Sequence, residues 1–69
     1  MEGNVITLTR TVPSRELISA GQAGDLLNYL RQHVRDLYQA NPSLTGCHLH
    51  DVGFVPKGDQ VELRFYFRT

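Results

Sequence analysis

Tryptophan is absent from this 69-residue chain, and cysteine occurs once, as Cys47. A lone thiol forms no internal bridge, so a disulfide scaffold is excluded. It also fits a reducing compartment. Net charge is absent too: seven Lys and Arg balance seven Asp and Glu, with the histidines neutral. That argues against nonspecific attraction to nucleic acid or anionic membrane, both of which favour a basic excess. It also removes the self-repulsion that keeps proteins apart. No apolar run approaches the ~20 residues of a membrane helix. Met1-Glu2-Gly3-Asn4 has no basic segment leading into an apolar one, so no signal peptide is expected. The expectation is a soluble, cytoplasmic protein with one domain over residues 1–69. A chain so short buries only ~60% of its unfolded surface. Without disulfides, self-association is the simplest source of extra stability, most simply as a dimer.

The strongest pattern present is Gln60-Val61-Glu62-Leu63-Arg64-Phe65-Tyr66-Phe67-Arg68. Val61, Leu63, Phe65 and Phe67 share one face of an extended chain; Glu62, Arg64, Tyr66 and Arg68 share the other. A period of two with the apolar set on one side marks a half-buried strand. Val5 to Thr9 is rich in β-favouring residues and predicts a first strand over Asn4–Arg10, broken by Thr11-Val12-Pro13-Ser14. Thr45–Val55 predicts a middle strand, with Cys47 packed beside Leu49 on one face and His48 and His50 on the other. The alternation shifts near Asp51-Val52-Gly53, which suggests a β-bulge. Pro56-Lys57-Gly58-Asp59 reads as the turn into the last strand.

Between the first two strands, Leu26, Leu27, Leu30, Val34, Leu37 and Tyr38 recur at helical spacing and form an apolar stripe. Asn28, Gln32, Arg35 and Gln39 lie opposite, and Asn41-Pro42 ends the helix. Ahead of it, Glu16-Leu17-Ile18 fits a short strand or a helical turn. Ser19 and Gln22 match a capping box for a helix from about Ala20, and Asp25 is an alternative cap. The class is therefore α+β, with element order β-α-β-β or ββαββ. One amphipathic helix packs on one face of a small, mainly antiparallel sheet. A crossover placing the first strand beside the last yields sheet order 1-3-2.

Such a sheet leaves a whole face open, carrying Arg64, Tyr66, Arg68, His48 and His50. Tyrosine and arginine are frequent anchors at binding surfaces; the plainer reading is a solvated polar face. His48 and His50, two apart on a strand, point the same way. Zinc needs three or four protein ligands, and Cys47 would face away, so no metal site is expected. Cys47 and His48, as strand neighbours, are badly placed to act as nucleophile and base, so Cys47 reads as a core residue. No catalytic residue and no cofactor is expected. Tyr29, His33 and Asp36 form a ridge on the helix at i, i+4 and i+7, a second candidate surface.

The β-α-β-β order and length resemble dodecin-type flavin-binding assemblies in topology alone. Members of that group share a flavin-stacking tryptophan, and this chain has none, so their ligand does not carry over. Small phage and mobile-element proteins that block host machinery are similar in size and topology class, by analogy only. The leading functional expectation is a non-catalytic protein-binding module that self-associates and docks on a larger protein, as an inhibitor or regulator of a host enzyme complex in one concrete version. A small-ligand-binding oligomer of dodecin-like topology is the alternative. An RNA or single-strand binder is a third: Arg64-Phe65-Tyr66-Phe67-Arg68 lacks the glycine that the RNA-recognition consensus sets before its aromatics.

Overall fold

The computed structural model describes residues 4–69. Met1, Glu2 and Gly3, read above as lacking leader features, lie outside that range. The chain runs β1 (Val5–Pro13), α1 (Ser14–Gln22), α2 (Leu26–Ala40), a 3₁₀ turn (Pro42–Leu44), β2 (His48–Lys57) and β3 (Gln60–Arg68). The strands make one antiparallel sheet in the order β1-β3-β2. This is the α+β class and the strand order that the sequence leads to. β1 and β2 both oppose β3, so the helical connection carries the chain from one sheet edge to the other.

The core is built on β3. Leu63, Phe65 and Phe67 are fully buried, and Val61 nearly so. In register with them stand Ile6, Leu8, Arg10 and Val12 of β1, and Leu49, Val52, Phe54 and Pro56 of β2. Leu37, Val34, Leu30 and Tyr38 of α2 and Leu17 of α1 pack over this face. Each large apolar side chain so buried contributes roughly 1.5–3 kcal/mol relative to exposure. The covering is uneven: Leu49 is 38% and Phe54 46% exposed, so the β2 side of the helix face is partly bare.

Several local expectations need correction. β1 does not break at Thr11; it continues to Pro13, with Val12 buried. Proline is tolerated there because β1 is an edge strand and a donor facing outward is not needed for the ladder. Glu16-Leu17-Ile18 lies in α1, so the ββαββ alternative is not realised, and there are two helices where one was expected. The helix begins at Ser14, directly after Pro13, with no side-chain cap; Ser19 and Gln22 lie within it rather than opening it. Gly24, at φ 72°, turns the chain between the helices. Asp25 then precedes α2 and accepts a 2.9 Å hydrogen bond from Asn28 Nδ2.

On α2 the inward face is rotated from the sequence stripe. Leu27 is 65% exposed, while Tyr29 packs against the core. Asn41 ends the helix as expected, its Nδ2 donating to the Leu37 carbonyl at 2.9 Å. β2 starts at His48, not Thr45, so Cys47 precedes the strand. Cys47 is buried as expected, but Leu49, read as its core neighbour, is 38% exposed. The register shift falls between Leu49 and Asp51, leaving His50 as the extra residue, just ahead of the expected Asp51–Gly53. The hairpin turn holds Gly58 at φ 67°, a conformation that L side chains rarely adopt.

Candidate binding surface

Alternation along β3 places Glu62, Arg64, Tyr66 and Arg68 on the face away from the helices, each half-buried among strand neighbours. β1 adds Val5, Thr7, Thr9 and Thr11 to this face, and β2 adds His48, Asp51, Gly53, Val55 and Lys57. The expected anchors Arg64, Tyr66 and Arg68 are thus brought together with His48, which stands opposite Arg68. His50 has no partner on β3. The simple pairing of His48 with His50 by alternation therefore gives way to His48 and Asp51 on this face.

The surface is internally wired at one end. Glu62 accepts from Lys57 Nζ at 2.9 Å and from Arg64 Nε at 2.7 Å. Hydrogen bonds from Lys57 and then Arg64 hold the Glu62 carboxyl below its usual range. Glu62 and then Tyr66 raise the Arg64 guanidinium above its own. Arg64 is therefore a partnered cation. The Tyr66 ring lies across Gly53: its Cε2 and Oη sit 3.6 Å from where a Cβ would stand. A glycine in a strand commonly marks such a close approach. Asp51 Oδ1 accepts the Val52 backbone N–H at 2.8 Å, stabilising the bulge.

The second candidate, Tyr29, His33 and Asp36, is a seam between elements. Tyr29 donates its hydroxyl proton to Glu16 Oε1 of α1 at 2.7 Å. His33 stacks edge-on against Tyr29, with ring centroids 4.9 Å apart, and lies 6.4 Å from Phe65. Asp36 Oδ2 lies 3.6 Å from Arg10 Nη1 of β1. His33 Nδ1 and Arg10 Nη1 are buried without hydrogen-bond partners among the described residues. Burial first, then the Arg10 charge, lowers the His33 pKa below 6.5, against smaller opposing effects of Asp36 and Glu16. Burial, then the bond to Glu16, raises that of Tyr29. Sequence reasoning missed Arg10 and Glu16. The available signal was that Arg10 continues the parity of Ile6 and Leu8, placing a charge on the core side.

Cys47 is buried, and its carbonyl accepts the Tyr38 hydroxyl at 2.6 Å. Among the described residues no three of His, Cys, Asp and Glu are grouped to hold a metal ion. A shallow groove of about 590 Å³ lies where α1 starts beside the hairpin turn, lined by Pro13, Ser14, Arg15, Ile18, Asp59 and Gln60. No helix is long and apolar enough to cross a membrane among the described residues. The arrangement offers stacking, ion pairing and backbone pairing to a partner. Comparison with family models, curated proteins and solved structures finds no match to the chain.

Proposed function

We propose that the protein is a non-catalytic binding module of the cytoplasm that self-associates and docks on a larger protein through its open sheet face. One observation carries this reading: β3 buries Leu63, Phe65 and Phe67 completely while Tyr66 and Arg68 remain accessible on the opposite side. Tyr66 is held against Gly53, which reduces the entropy lost when a partner covers the ring. Arg68 has no ion-pair partner among the described residues, so its charge is available. Arg64 is less so, because a partner must compete with Glu62. The same pairing, together with zero net charge, ranks nucleic acid below protein as the partner. Inhibition or regulation of a host enzyme complex is the concrete version of this activity.

Copurification from the native host tests the reading, with a stoichiometric protein as the expected result. Tyr66→Ala and Arg68→Ala should each weaken that binding at least tenfold, or ~1.4 kcal/mol. Arg64→Ala should cost less, and all three should unfold within a few degrees of the parent. Normal binding by folded Tyr66→Ala and Arg68→Ala variants would sink the open-face assignment.

A further inference from the structure

The two sheet edges differ in how they are guarded. β2 carries a bulge at His50, a side-chain carboxylate on the Val52 N–H, Pro56 inside the strand and Lys57 at its end. These are the devices that natural sheets use against edge-to-edge pairing. β1 has none of them before Pro13: it is regular from Val5 to Val12, paired without a register shift.

The hydrogen-bond parity of β1 follows from its two ends. Thr69 N–H donates to the Asn4 carbonyl at 3.4 Å, and Ser14 N–H to the Asp59 carbonyl at 2.8 Å. Both pairs continue the register of Ile6↔Phe67 and Val12↔Val61. Antiparallel ladders alternate bonded and non-bonded pairs. Ile6, Leu8, Arg10 and Val12 therefore turn their backbone groups to β3, and Val5, Thr7, Thr9 and Thr11 turn theirs outward. Pro13 falls on the outward parity, where its missing N–H costs the ladder nothing.

We propose that a second copy of this chain pairs along β1, antiparallel and about a two-fold axis at Leu8, joining both sheets in the order β2-β3-β1-β1-β3-β2. This deepens the self-association part of the function proposed above. The Leu8-centred register is the one in which every outward N–H of β1 is used: Val5 meets Thr11, and Thr7 meets Thr9, in both directions. A centre at Thr9 would set Val5 against Pro13, which lacks an N–H, and a centre at Thr7 would carry Thr11 past the start of the partner strand. On the open face the pairs are β-branched and uncharged, and they cover Val5, otherwise 56% exposed.

Arg10, the one charged residue of β1, points to the helix side, where an unmatched charge would guard the edge. Its charge is instead matched by Asp36 at 3.6 Å. In this register it stands opposite Ile6 of the second copy, whereas a centre at Arg10 would oppose two arginines. Arg10 thereby selects against that slip.

Light scattering coupled to size exclusion at micromolar concentration tests the proposal, with circular dichroism confirming the fold of each variant. The parent should have twice the 7.8 kDa chain mass. Thr7→Pro removes an outward N–H that the monomer does not use and should leave a folded monomer. Thr7→Lys with Thr9→Lys sets like charges across the axis and should do the same. Thr7→Lys with Thr9→Glu sets opposite charges across it and should restore the dimer. A parent that stays at the chain mass over a hundredfold dilution range overturns this interface and self-association together. A dimer that persists in both the proline and the double-lysine variants overturns the β1 interface alone, and the bare strip at Leu49 and Phe54 is then the contact. If Thr7→Pro fails to fold, the charge pair decides. Should the lysine–glutamate variant remain monomeric like the double lysine, the Leu8-centred register is wrong.

Discussion

Phe65 and Tyr66 are neighbours in the chain and opposites in environment. Phe65 is fully buried, and the Tyr66 ring lies on the open face against Gly53. Phe65→Ala should cost about 3–5 kcal/mol. That is a large part of the stability available to so small a chain, where ~0.05–0.15 kcal/mol per residue is typical. Urea unfolding should therefore show a midpoint moved far toward zero denaturant with a shortened folded baseline, whereas Tyr66→Ala should keep a clear folded baseline. His33 offers a pH test. Burial and Arg10 lower its folded pKa below the unfolded 6.5. Above that pH both states hold it neutral. As pH falls through 6.5 the unfolded chain takes up a proton that the native state resists, so stability is lost until the folded pKa is passed. His33→Gln should flatten the fall in thermal midpoint between about pH 7.5 and 5. An unchanged slope would show that His33 is not its source.

Elements here are held by what packs on them more than by their own end signals. α1 opens without a side-chain cap and contains Gly21, which costs roughly 1 kcal/mol in a helix. Its order comes from Leu17 on the core and Glu16 bonded to Tyr29. The 3₁₀ turn is anchored by Leu44, fully buried, whose carbonyl also accepts the Cys47 N–H at 2.8 Å. Leu44→Ala should cost about 2–5 kcal/mol, the range for a buried leucine. Leu49→Ala, at a residue 38% exposed, should cost well under half as much. Equal losses in denaturant titrations would mean that Leu49 is covered in solution, as it would be in an assembly through β2.

At the scale of the molecule, the two helices cover the sheet on one side, and among the described residues nothing packs on the open face or fully covers the strip at Leu49 and Phe54, while β1 and β2 form the two sheet edges. A chain with neither disulfide nor net charge gains stability from whatever covers such surfaces. If association is coupled to folding, the thermal midpoint should rise with protein concentration, measurably between ~2 and 200 μM. A midpoint independent of concentration would place folding and assembly in separate steps.

Periodicity made β3, the body of α2 and the α+β class legible, because a half-buried strand and an amphipathic helix write their environments at fixed spacing; the sheet order followed from the crossover rule. It also put Arg64, Tyr66 and Arg68 on one face, since alternation along an unbroken strand is local geometry. What remained hidden depended on contacts distant in sequence. Leu44 is one apolar residue in a polar turn, and only the packing around it makes it core. Tyr29 and His33 look like a helix flank until α1 and β1 close over them. The shifted alternation of β2 announced a bulge, but its place at His50, which took that residue out of the expected pairing, is set by how β2 meets β3. Arg10 reads as a break in the apolar pattern of β1; its role follows from Asp36, carried beside it by a helix that begins sixteen residues later. Spacing within an element is written residue by residue, while the choice of which faces meet belongs to the folded chain.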